Sequence, residues 1–235
     1  MGILLAGHGE MARALRKECV LREVEVRQFD AGDPSPYVGG TVAVHFGSGR
    51  ELPALLELCS TYQIPLIQGS TRQTLPRPVG TVVVDAPNLA LPVVKLLGVL
   101  PALRDAFLPF SRFPLEGMEA CIVESHQSAK DPSPSGTAVR IAEYLGLSEE
   151  DIRPIRDAET QLALGVSEEH LLGHAYHWII FTYHGVTVQV KVSVHGRSPY
   201  AKGALVVASA LVCHPERFSP GVYSVQEVLE VLGRG

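Results

Sequence analysis

Along the first hundred residues, short apolar runs alternate with stretches whose apolar positions recur every three or four residues. Runs at residues 2–6, 23–29, 41–46, 65–68 and 81–84 read as five strands. The stretches between them predict helices over residues 11–17, 51–62 and 89–100. Val42-Ala43-Val44 and Val82-Val83-Val84 are apolar without a break, as in strands buried on both faces. Strands and helices alternating in this way build an α/β fold, a Rossmann-type doubly wound parallel sheet.

The grammar changes from about residue 101. Cys121-Ile122-Val123 reads as a strand leading into a polar motif, residues 137–144 as a helix with Gly146 as its C-cap, and Ser167-Glu168-Glu169 as the start of another short helix. Residues 178–183 and 186–194 flank His184-Gly185 and predict a hairpin of long strands. Its second strand alternates, with Val188, Val190, Val192 and Val194 on one face and Thr187, Gln189, Lys191 and Ser193 on the other. A second α/β domain carrying a mixed sheet follows, with one face wet or covered by a partner. The tail returns to helix over residues 201–211 and 225–232, interrupted by Pro215 and Pro220-Gly221.

A chain of 235 residues that is 46% apolar can bury a sizeable core without disulfides or metal. Cys19, Cys59, Cys121 and Cys213 form no Cys-x-x-Cys pair, which fits reduced thiols rather than bridges or zinc. The opening apolar run is too short for a signal peptide and lacks a basic leader, and no later run reaches membrane-spanning length. A soluble, cytoplasmic protein with no membrane partner is expected. With a net charge of −5 and no Lys/Arg stripe, the chain offers no footprint for nucleic acid. Any anionic ligand must be held by local groups.

Two places carry chemistry. Gly7-x-Gly9-x-x-Ala12 follows a strand and opens a helix, the context in which a dinucleotide fingerprint counts; otherwise it is an ordinary strand-to-helix turn. Asp30 ends the second strand about twenty residues on, where a carboxylate binds ribose hydroxyls. Ala31-Gly32-Asp33-Pro34 brings no cation for a 2′-phosphate, so NADH is the expected cofactor and NADPH the alternative. Further on, His126 and Lys130 stand at the end of a strand, four residues apart, and can serve as proton donors. Taken singly they are a loop histidine and a solvated lysine. Ser135-Gly136-Thr137 then opens a helix whose free N–H groups suit a carboxylate. Proton donors beside an anion cradle point to a small carboxylate-bearing substrate. His170, His174 and His177 would share a face if their segment were helical, but no acidic partner supports a metal, and none is expected. Arg197 is either a second carboxylate clamp or a structural cation.

Together these residues resemble the dihydrodipicolinate reductase family, whose motif Glu-x-His-His-x-x-Lys-x-Asp-Ala-Pro-Ser-Gly-Thr-Ala is matched at Glu124, His126, Lys130, Pro134, Ser135, Gly136, Thr137 and Ala138. Gly69-Ser70-Thr71, Ala86-Pro87-Asn88-Leu89, the segment from Ser198 to Ala204 and the ending from Ser219 to Ser224 are similar to further family motifs. The resemblance implies reduction of 4-hydroxy-tetrahydrodipicolinate to tetrahydrodipicolinate with NAD(P)H, a step of lysine and diaminopimelate synthesis. It gives His126 and Lys130 the family's catalytic positions, and Gln127, Ser135, Gly136 and Thr137 those that hold substrate. Gly7, His8, Gly9, Glu10, Met11, Asp30, Phe46, Gly69, Ser70, Thr71, Ala86, Pro87, Asn88 and Leu89 take the cofactor positions. The implied organisation is a dinucleotide-binding domain over residues 1–96, a substrate-binding and oligomerisation domain over 97–200, a tail over 201–235 returning to the first domain, and a homotetramer. Gln127 departs from the family's second histidine, Pro132-Ser133 from Asp-Ala, and His45 from a usual aspartate. Glutamine still donates a hydrogen bond but transfers no proton. The alternatives are a reductase of the same fold for another imine or keto dicarboxylate, and a dinucleotide-binding relative without turnover.

Overall fold

Each strand expected in the first hundred residues forms, and the computed structural model describes residues 1–32, 39–70, 75, 79–108, 117–128 and 133–233. The chain begins β1 (Gly2–Ala6), α1 (Glu10–Leu21), β2 (Glu25–Gln28), β3 (Thr41–His45), α2 (Leu52–Tyr62), β4 (Leu66–Gln68), β5 (Val82–Asp85) and α3 (Leu91–Phe107). It continues β6 (Glu119–His126), α4 (Gly136–Leu145), β7 (Ile152–Ile155), α5 (Ala158–Ala163), β8 (His174–Tyr183) and β9 (Val186–His195). It closes with α6 (Ser198–Cys213), β10 (Gly221–Ser224) and α7 (Val225–Leu232). Two compact units result, one of Met1–Val94 with Arg197–Gly235 and one of Lys95–Gly196.

In the first unit, six strands among the described residues form a sheet in the order β10-β5-β4-β3-β1-β2, every pair parallel. Alternate residues of each strand feed opposite layers, as the unbroken apolar runs require. Ile3, Leu5, Val42, Val44, Ile67 and Val84 pack with Leu15 and Cys19 of α1 and with Ala204, Val207 and Ala208 of α6. Leu4, Ala6, Ala43, Leu66 and Val83 pack on the other side with Leu52, Leu55, Leu56 and Cys59 of α2. Burial pushes the Cys19 thiol up to about 11 and that of Cys59 to about 12, so both are inert packing groups.

The tail departs from the expected helix–break–helix. Between its helices Gly221–Ser224 runs parallel to β5 and adds the outermost strand on that side. Ser224 then ends the strand and starts α7 through a capping box: its N–H donates to Glu227 Oε2 (2.6 Å), and its Oγ accepts from the Glu227 N–H (3.2 Å). Gly203 lets α6 press on the loop after β5, because a Cβ there would overlap the Leu89 carbonyl oxygen.

The second unit carries a sheet in the order β7-β6-β8-β9, parallel between β6 and β7 and antiparallel elsewhere. This is the expected mixed sheet. On one face Ile122, Ile179 and Phe181 pack against Ala138, Ile141, Ala142 and Leu145 of α4, and Phe181 stacks on Phe107 (ring centroids 4.9 Å apart). The other face buries Tyr176 and Trp178 with Val166. The β8–β9 hairpin turns at His184 (φ 42°) and Gly185 (φ 85°), two left-handed residues that match strand twist. β7 and α5 are absent from the sequence expectation, and α3 continues past Leu100 through Pro101 to Phe107. Burial of Leu97, Leu100 and Leu108 in one cluster outweighs the helix-breaking preference of proline there. Among the described residues, no helix is long and apolar enough to cross a membrane.

Candidate active site

In the first unit the strand order reverses at β1, which has β2 on one side and β3 on the other. The loops leaving β1 and β3 diverge there and open the crevice where doubly wound sheets bind ligands. Gly7 follows β1 with φ 113°, and a Cβ on it would lie 2.7 Å from the carbonyl carbon and oxygen of Phe46. Only glycine fits. The Phe46 ring in turn occupies the space a Gly69 Cβ would need. Phe46 N–H donates to the Ala6 carbonyl (2.8 Å) and Gly69 N–H to the His45 carbonyl (3.0 Å), so the ends of β1, β3 and β4 are tied together.

Gly9 caps α1, is exposed, and has no atom within 4 Å of its Cβ position. The helix start is therefore open to an anion. His8 and Glu10 are exposed and Met11 is half-buried beside them. Glu10 pairs with Arg197, which gives Arg197 a structural partner within this unit. Asp30 is exposed just beyond β2, with Oδ1 accepting from the Gly32 N–H (2.9 Å). After β5, Ala86 and Leu89 are core residues, while Pro87 and Asn88 are half-buried and Asn88 Oδ1 accepts from the Ala90 N–H (2.9 Å). Ser70 is half-buried after β4; Thr71 lies outside the described residues. His45 is wholly buried with Nδ1 2.6 Å from Gln68 Oε1, and burial lowers its pKa, so it stands neutral beneath the crevice-forming loops.

In the second unit, β6 runs on to His126, so Glu124 and His126 are two residues apart on one face. Opposite Glu124 on β8 stands His177. Glu124 is fully buried. Its Oε2 is 2.6 Å from His126 Nδ1, and its Oε1 accepts from Arg156 Nη2 (2.6 Å) and from the Ser135 N–H (3.2 Å). Burial alone would raise the Glu124 pKa, but the contacts with His126, Ser135 and Arg156 outweigh it and hold the carboxyl at about 2. His177 is pushed down to about 3, first by burial and then by the neighbouring His126, so it is a neutral ring against Ser135 Oγ (3.4 Å). Gln161, also buried, donates to the carbonyls of His126 (2.7 Å) and Ile155 (3.3 Å).

Ser135 is the N-cap of α4, its Oγ accepting from the Ala138 N–H (3.3 Å). Gly136 is exposed with open space at its Cβ position, and Thr137 is half-buried. Gln127 is half-buried directly after His126. The structure thus brings His126, Ser135 and the start of α4 to one carboxylate; Lys130 lies outside the described residues. Arg156 and Gln161 are absent from the sequence expectation, which includes Glu124 only as a motif match and His177 only in a histidine group, although period-two alternation puts Glu124 and His126 on one face once the strand is carried to His126. The helical grouping of His170, His174 and His177 is corrected. His174 and His177 sit on a strand three residues apart and face opposite ways, and His174 instead meets Ser125 Oγ (2.8 Å). Ligating atoms of Glu124, His126 and His177 lie within 4.8 Å of one another, but the Arg156 guanidinium already meets the charge a cation would need.

The first unit has the doubly wound fold of dinucleotide-binding proteins, and the second carries a mixed sheet with a histidine–carboxylate cluster. A family model described as the C-terminus of dihydrodipicolinate reductase matches residues 108–229. The chain is 33% identical over 194 residues to probable 4-hydroxy-tetrahydrodipicolinate reductase 1, chloroplastic, of Oryza sativa subsp. japonica, covering 76% of this chain and 54% of that protein. It is 26% identical over 208 residues to 4-hydroxy-tetrahydrodipicolinate reductase of Xylella fastidiosa (strain M23), covering 86% and 78%. In fold it is similar to a dipicolinate-bound dihydrodipicolinate reductase from Paenisporosarcina sp. TG-14, with a TM-score of 0.64 at 14% identity over 95% of this chain and 97% of that one. The chain belongs to the dihydrodipicolinate reductase family. It spans just over half the length of the rice relative.

Proposed function

We propose that this chain reduces 4-hydroxy-tetrahydrodipicolinate to tetrahydrodipicolinate, a step in lysine and diaminopimelate synthesis, using a nicotinamide dinucleotide. The observation that carries this reading is the joining of His126 and the start of α4 through Glu124: a proton-handling imidazole is held close to a helix end suited to a carboxylate. The net change removes the 4-hydroxyl as water and adds a hydride and a proton. A substrate carboxylate is received at Gly136 and Thr137, with Gln127 as a neutral donor beside them. Lys130 donates the proton and His126 assists.

The crevice of the first unit fits the dinucleotide: Gly7 tolerates no Cβ, and open space at Gly9 leaves room for a pyrophosphate at α1. When bound, the reduced nicotinamide supplies the hydride. Gly7, His8, Gly9, Glu10 and Met11 would hold the phosphates, and Phe46, Gly69, Ser70, Thr71 and residues 86–89 the nicotinamide end. Asp30 would hold the adenosine ribose. With that carboxylate and no cation in residues 31–34, kcat/KM is expected to favour NADH over NADPH. The test is oxidation of each cofactor with substrate generated from pyruvate and aspartate semialdehyde. Turnover with NADH ahead supports both statements; NADPH ahead removes Asp30 from its role. Dinucleotide binding without turnover transfers the site to another imine or keto dicarboxylate, the reading Gln127 favours, or to a non-catalytic relative.

The same family reading makes the protein a homotetramer joined through the sheets of the second unit. Its support here is β9, an edge strand of ten residues whose Val186 and Val188 are exposed. Light scattering on the eluting peak is expected to give four chains per particle. A monomer at micromolar concentration rules this out.

A further inference from the structure

Resting on the reading of His126 as a proton-handling group, we propose that Glu124 is the positioning residue of this site: it fixes which nitrogen of His126 is available and ties that ring to the helix that receives the substrate carboxylate. The argument begins with atoms. An ionised carboxylate only accepts hydrogen bonds, its Oε2 lies 2.6 Å from His126 Nδ1, and among the described residues neither atom has another partner. Nδ1 must therefore carry a hydrogen, and in the neutral ring Nε2 is the bare nitrogen. Nε2 is then the single position at which His126 takes or gives a proton.

The other oxygen of Glu124 sets the distance. Oε1 accepts from the N–H of Ser135, and Ser135 is the residue that caps α4. One rigid group thus spans from the imidazole to the helix start, and the position of His126 relative to Gly136 follows from a buried carboxylate. Arg156 makes this arrangement durable, since its guanidinium contacts Oε1 at 2.6 Å and compensates a charge that burial would otherwise neutralise. Gln161 holds the backbone of the same residue through the His126 carbonyl, so ring and main chain are fixed independently. His177 completes the wall as a neutral ring at 5.3 Å, edge-on to His126, and adds no competing charge.

The experiment reads the tautomer directly. Long-range nitrogen–proton correlation spectra of the uniformly nitrogen-15-labelled full chain are recorded above the titration of its histidines, with His126 assigned by loss of its signals in His126→Asn. In the wild type His126 is expected as the Nδ1–H tautomer. Glu124→Gln, whose amide can donate as well as accept, is expected to populate the Nε2–H tautomer and to lower kcat roughly 10- to 100-fold, with the KM for the dinucleotide unchanged. Arg156→Gln keeps the carboxylate and is expected to keep the Nδ1–H tautomer. An Nε2–H tautomer in the wild type overturns the proposal, even if Glu124→Gln does not fold. So does a Glu124→Gln chain that keeps both tautomer and turnover. The spectra need no substrate, so an Nδ1–H wild type that switches in Glu124→Gln, in a chain that fails to reduce 4-hydroxy-tetrahydrodipicolinate, supports the positioning role and counts against the substrate alone.

Discussion

Alanine in place of Lys130 is expected to lower turnover roughly 10²-fold or more while leaving NADH binding intact. Reduction of a conjugated ring needs one proton for each hydride, and the motif offers few groups to supply it. Among them, Gln127 transfers no proton, His126 lies against Glu124 through Nδ1, and Lys130 carries an ammonium. The loss should fall on kcat, because the dinucleotide crevice belongs to the other unit. Lys130→Arg separates charge from proton supply: a guanidinium keeps the positive charge that attracts a dicarboxylate but does not release a proton near neutrality. If Lys130 is the donor, arginine is nearly as slow as alanine and binds substrate better. Steady-state kinetics with NADH titrated by fluorescence make the comparison. Full turnover in Lys130→Ala removes this residue from the mechanism, and wild-type kcat in Lys130→Arg reduces its role to electrostatics.

What could be seen in the sequence follows from the range of the interactions involved. Strands β1 to β5 are legible because runs such as Val42-Ala43-Val44 and Val82-Val83-Val84 must be buried on both faces wherever they lie, and Gly7 because glycine permits the tight turn after β1, whereas Gly69 is marked by the family resemblance alone. Ser135 announced α4 through local capping chemistry. By contrast, β10 is four residues of Gly-Val-Tyr-Ser whose strand state depends on β5, well over a hundred residues earlier. β7 holds Arg153 and Pro154 and shows no alternation; it is a strand because β6 lies beside it. The same limit hid half of the candidate site. Glu124 and His126 are neighbours by strand geometry, but Arg156, Gln161 and His177 reach them only through the register of β6 with β7 and β8. A local pattern carries no information on that register. His174 and His177 show the inverse error, since a spacing of three means one face on a helix and opposite faces on a strand.

The buried cluster also makes the second unit acid-sensitive. His177 titrates near 6.5 when unfolded but at about 3 in the fold, because burial and the neighbouring His126 disfavour its charged form. A depressed pKa means that the unfolded chain takes up the proton first. The contribution of His177 is complete above about pH 6.5 and is lost as pH falls toward 3, at about 1.4 kcal/mol per pH unit. Glu124 behaves in the same sense over a lower window, from its ordinary value of 4.5 to about 2. Stability is therefore expected to be level above about pH 7, to decline below it, and to steepen below 4.5 where both groups act. His174, also lowered by burial, adds to the upper limb. His177→Gln removes one proton uptake while keeping a group that can hydrogen-bond Ser135. The variant should be destabilised at about pH 7, and the gap to wild type should shrink by about 2 kcal/mol at about pH 5. Trp178, the single tryptophan and a buried residue of β8, reports urea unfolding of this unit without interference from the first. A gap that stays constant between the two pH values shows that His177 takes up its proton over the same range in the fold as in the unfolded chain, so that the wall beside His126 is charged at about pH 5.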